Sequence, residues 1–102
     1  MGEWKVTCHG YSVFFNLFGD RKVIAGDEGH NVVLGQTWGH FRIVHLPNGE
    51  IGLDYNHQNN FSFMRKVFDR ILPSGDGYTG DFFYAGIRLF RFSLKPIKQN
   101  QT

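Results

Sequence analysis

The sequence predicts an α+β domain that is mostly antiparallel β, a small barrel or curled sheet of about 6–8 short strands with one amphipathic helix near residues 61–72. Three observations carry this. Short runs of β-branched and aromatic residues alternate apolar with polar side chains, clusters of Gly, Asp and Asn separate them, and the apolar spacing changes between Asn60 and Pro73.

Trp4, Val6 and Cys8 alternate with Lys5, Thr7 and His9, the period-2 pattern of a strand with one buried face, and Val13, Phe15 and Leu17 continue it beyond Gly10. Gly19-Asp20 and the tract Gly26-Asp27-Glu28-Gly29 then delimit short strands at 22–25 and 31–34. The clearest hairpin joins 40–46 to 51–55, because Asn48-Gly49 supplies the positive φ angles that a type I′ turn needs. Phe41, Ile43 and His45 share one face of its first strand, and Ile51, Leu53 and Tyr55 share one face of its second. Met64, Val67, Phe68, Ile71 and Leu72 fall on one stripe of a helix, capped by Asn60 or Ser62 and ended by Pro73. A glycine-rich loop at 74–81 follows, then an extended run at 82–94 kinked or interrupted at Gly86.

No stretch of the 102 residues is polar or simple enough to be a linker, so residues 1–98 read as one globular domain and 99–102 as a frayed tail. Aromatic residues make up 17% of the chain, 11 of them Phe, and a core built from rings is expected. Cys8 is the sole cysteine, which excludes an intrachain disulfide and favours a reducing, cytoplasmic compartment. The start MGEWKVTC carries no apolar leader, and no window is long enough to span a bilayer as a helix, so no membrane partner is expected.

Gly75-Asp76-Gly77-Tyr78-Thr79-Gly80 matches a phosphate-binding glycine pattern, but it follows Pro73 and leads into a strand, so no helix N-terminus would face a phosphate. His9, His30, His40, His45 and His57 form no spacing that a metal site requires, and no metal or other cofactor is assigned. Most carboxylates sit in turn sequences, leaving Asp54, His45 and His57 as the groups to inspect for acid–base chemistry; no catalytic residue is assigned. Arg70-Ile71 and the stretches 78–84 and 92–94 faintly resemble the C-terminal part of bacterial guanyl-specific ribonucleases, but Phe82 stands where that family has its catalytic histidine. The stretch 38–53 resembles one repeat of a β-trefoil and has no second copy in the chain. Neither resemblance is adopted.

Charge supplies the remaining signal. Residues 1–59 hold four Lys/Arg against six Asp/Glu, whereas residues 60–102 hold seven against three. Arg88, Arg91 and Lys95 interleave with Phe90 and Phe92, and Arg65, Lys66 and Arg70 add to them. These six cations are the candidate contacts of a non-enzymatic binding module with an anionic partner, either nucleic acid or an acidic protein surface. The alternatives are an inhibitor or immunity-type factor of a phage or mobile element that acts by protein contact, and a small enzyme without a recognisable motif. Self-association is a further expectation from the aromatic content.

Overall fold

The computed structural model describes residues 2–8 and 21–97. They form a closed, up-and-down barrel of eight antiparallel strands: β1 Gly2–Cys8, β2 Arg21–Ala25, β3 Glu28–Val33, β4 Gln36–His45, β5 Ile51–Asp54, β6 Val67–Ser74, β7 Gly77–Tyr84 and β8 Ile87–Pro96. Each strand pairs with the next in sequence, and β1 pairs with β8 to close the cylinder. The antiparallel, β-rich class agrees with the sequence, as do the strand at 4–8 and the hairpin of β4 with β5. The strand expected at 13–17 lies outside the described residues.

The helix expected at 61–72 is not formed. Residues Ser62–Lys66 make one 3-10 turn, and the chain then enters strand β6. Val67 and Ile71 satisfy both periods, because positions four apart share a helix face and also a strand face. The tie is broken by Asp69, which lies between them on the inner face and is 1% exposed, while Phe68 and Leu72 turn outward. Barrel closure favours the strand, since β6 hydrogen-bonds with both β5 and β7. Asn60, expected as a helix cap, instead clamps the connection to β4: its Oδ1 accepts from the His40 N–H at 2.7 Å and its Nδ2 donates to the His40 and Tyr55 carbonyls, each at 2.7 Å.

The glycine-rich stretch at 74–81 is likewise no loop. It is the tip and second strand of the β6–β7 hairpin, in which Gly77 and Gly80 permit close approach. A Cβ at Gly77 would collide with the Leu94 carbonyl oxygen, and one at Gly80 would lie 2.7 Å from the Ile71 and Phe92 side chains. The interruption at Gly86 is a two-residue turn, with Ala85 at φ 51° and Gly86 at φ 85°, between β7 and β8. The β4–β5 hairpin turns at Asn48 and Gly49 as expected, with φ of 66° and 78°, and the Glu50 N–H donates to the Pro47 carbonyl at 3.4 Å, as a type I′ turn requires.

The inner face holds Val6, Phe41, Leu53, Tyr55, Val67, Ile71, Phe92 and Leu94, all buried. Glu3, Lys5, Arg21, Arg70, Arg91 and Lys95 occupy outward positions on β1, β2, β6 and β8. Among the described residues no helix is long and apolar enough to cross a membrane.

Candidate functional site

The alternation that sends Val67, Asp69 and Ile71 into the lumen sends Arg70 and Leu72 out, and register does the rest. Arg70 pairs with Asp81, and Asp81 with Arg91, so one row across β6, β7 and β8 reads cation, anion, cation. Arg88 Nη1 and Arg91 Nε each stand 3.4 Å from Asp81 Oδ1. Arg70 Nε lies 3.1 Å from Glu50 Oε1, with its guanidinium 5.4 Å above the Phe83 ring. Thr79, Ser93 and Leu72 complete the walls of a groove of about 620 Å³ beside Arg70 and Arg91. Lys95 extends the row of exposed cations to the seam, where it pairs with Lys5 of β1. Four of the six expected contacts therefore share the outer face of β6–β8, interleaved with two carboxylates.

Arg65 and Lys66 do not join them. Arg65 donates to the Asn60 and Gln58 carbonyls and so ties down its own connection, while the Lys66 carbonyl accepts from the Ala85 N–H at the β7–β8 turn. The rings also separate from the arginines. Phe90 and Phe92 lie on the inner side, Phe92 only 2% exposed and Phe90 stacked on Phe82 at 4.6 Å.

Asp54, His45 and His57 are not brought together. His45 is exposed at the mouth of the barrel on the inward register of Phe41 and Ile43, whereas Asp54 points out and accepts from the Asn56 N–H at 3.0 Å. His57 stacks on His40 with ring centres 5.4 Å apart; His30 lies across from His40 at 6.3 Å, and Glu28 Oε1 is 3.8 Å from His57 Nε2. Burial, then His57 and His30, lower the His40 pKa, with Glu28 opposing. Among the described residues no three His, Cys, Asp or Glu side chains are arranged to hold a metal ion.

The barrel interior contains a polar cluster that sequence reasoning missed. Lys22 Nζ donates to Asn31 Oδ1 and Tyr55 Oη, each at 2.7 Å, and lies 3.3 Å from Asp69 Oδ2. Asn31 Nδ2 donates to Tyr55 Oη at 2.9 Å, and Tyr55 Oη donates to Asp69 Oδ2 at 3.2 Å. The ammonium also faces the rings of Phe41, Tyr55 and Phe92 at 5.4–5.7 Å. Burial raises the Asp69 pKa against the pull of Lys22, and burial followed by the Asp69 charge raises that of Tyr55 well above its ordinary value. The cluster is enclosed in the lumen away from the surface, and Asp69 Oδ1 has no hydrogen-bond partner among the described residues.

Comparison of the chain with family models, curated proteins and solved structures gave no match. The functional reading therefore rests on the geometry of this chain alone.

At the end of the barrel formed by the β2–β3, β4–β5 and β6–β7 turns, inward side chains stop short of closing the lumen. They leave a cavity of about 340 Å³ with apolar walls, rimmed by Asp27 and His45. The opposite end carries exposed Phe61 and Phe63, stacked at 6.0 Å, and Leu34 at the β3–β4 turn.

Proposed function

We propose that the chain is a non-enzymatic binding module that docks an acidic surface of a protein partner on the outer face of β6–β8. The observation that carries this reading is the gathering of Arg70, Arg88, Arg91 and Lys95 on that face, beside exposed Leu72 and Leu89. Arginine flanked by aliphatic surface is the composition that protein interfaces favour. Nucleic acid is supported less well. Phe90 and Phe92 face the lumen and present no platform for bases, and Asp81 and Glu50 interrupt the positive charge that a uniform phosphate backbone would meet.

The test is a polarisation titration with three fluorescent probes, an alternating Glu-Leu peptide, duplex DNA and single-stranded RNA, at about 50 and 200 mM salt. Peptide binding that weakens with salt and disappears in Arg88→Glu/Arg91→Glu is expected. Tighter binding of either nucleic acid, lost in the same variant, would replace the reading with the nucleic-acid one, and no binding of any probe would remove both. Self-association through the opposite end is a second reading, favoured by Leu34, which is 86% exposed at a positive φ of 50°. Sedimentation of the protein against Leu34→Asn tests it.

A further inference from the structure

The cavity at the mouth draws its walls from six of the eight strands: Trp4 of β1, Ile24 of β2, Ile43 of β4, Ile51 of β5, Ile71 of β6 and Tyr78 of β7. Ile71 is 2% exposed and forms the floor, and the polar cluster of Lys22 and Asp69 lies deeper in the lumen. Trp4 and Tyr78 meet edge to face at 5.3 Å and hold one wall rigid. Side chains that merely closed a core would interdigitate; these stand back and leave about 340 Å³, within the usual range for small-molecule sites.

Among the described residues the barrel wall is closed and presents no open groove of the kind that a helix or strand of a partner would need.

We propose that the mouth binds a small, ring-containing apolar molecule whose hydrogen-bond-donating end faces Asp27 and His45 at the rim. The isoleucines and rings bury the apolar body, and the two rim groups, an exposed carboxylate and an exposed imidazole, orient the polar end toward solvent. This site is separate from the β6–β8 outer face, so neither reading depends on the other.

The two tryptophans make the test local, because Trp4 lines the cavity and Trp38 packs near Phe61 at the other end. N-phenyl-1-naphthylamine, a neutral aromatic amine, is titrated into Trp38→Phe and Trp4→Phe, which retain Trp4 and Trp38 respectively as sole reporter. Saturable transfer from Trp4 at one dye per chain, with little from Trp38, is expected. Ile24→Phe and Ile51→Phe, which fill the cavity from two sides, should each weaken binding at least tenfold while unfolding stays cooperative. Dye uptake that never saturates, that reports chiefly on Trp38, or that is unchanged in both filled variants would overturn the proposal. So would sedimentation showing that the filling substitutions abolish a dimer, since a second copy would then be the occupant.

Discussion

Removing the carboxylate of Asp69 tests whether the buried polar cluster acts as one unit. In Asp69→Asn the side chain keeps its shape, but the Lys22 ammonium, 3.3 Å away and 5% exposed, loses the charge of that carboxylate. Asn31 Oδ1 and Tyr55 Oη, which accept from it, are neutral, and the three ring faces at 5.4–5.7 Å replace only part of the attraction. Breaking one side of a buried ion pair costs about 3–5 kcal/mol, and in a domain of this size that lowers Tm by roughly 12–40 °C. Replacing both partners, as in Lys22→Met/Asp69→Leu, removes both charges of the pair and retains the 2.9 Å bond from Asn31 to Tyr55, so the double variant should be more stable than Asp69→Asn. Lys22→Met alone adds a sign. Burial already raises the Asp69 pKa, and losing Lys22 removes the main opposing cause, so the folded state holds that proton more tightly than the unfolded state. Its stability is then greatest at acid pH and falls as pH rises through the raised pKa. Urea unfolding followed by circular dichroism measures all three variants. Asp69→Asn within about 1 kcal/mol of the parent, or a double variant no better than the sum of the singles, would refute the reasoning.

Two further outcomes are expected. Gly77→Ala should cost about 3 kcal/mol, because its methyl group would force β7 away from the Leu94 carbonyl at the β7–β8 ladder, whereas Gly75→Ala, in open space but at φ 62°, should cost only about 1–2 kcal/mol; chemical denaturation orders them. His40 has its pKa lowered from 6.5, so its contribution to stability is present above about pH 6.5 and lost as pH falls through the lowered folded value; His40→Gln should flatten thermal stability between about pH 5 and 7, and an unchanged slope would assign the pH dependence elsewhere.

Much of the barrel was legible because local chemistry and final position agree. Gly26-Asp27, Asn48-Gly49 and Gly75-Asp76 all mark reversals, and Trp4 and Val6, or Ile51 and Leu53, lie on the faces that alternation assigns. The candidate cations were partly legible for the same reason, since Arg70 and Arg91 fall on outward positions once their strands are known. Arg65 was misplaced because its carbonyl partners, Asn60 and Gln58, depend on the path of a connection that carries no period.

The failure at β6 has a different origin, and it bears on the polar cluster. Met64, Val67, Phe68, Ile71 and Leu72 supply an apolar stripe, and nothing local sets a helix apart from a turn running into a strand. The distinguishing residue is Asp69, which a helix would leave in solvent and the strand carries into the lumen. That placement is tolerable only because Lys22, 47 positions earlier, and Tyr55, 14 positions earlier, meet it there. The same reading strands Asn31 and Lys22 as ordinary polar residues on the sequence, although both are at most 5% exposed. One charge therefore hid two features at once: the strand that completes the barrel and the partners that make its interior habitable. A lone carboxylate at even spacing between β-branched residues is weak evidence of burial by itself. Paired with an inward lysine on another strand, it becomes a constraint on register, because a one-residue slip of β2 or β6 would turn one partner out and leave the other charged and unpaired in the core.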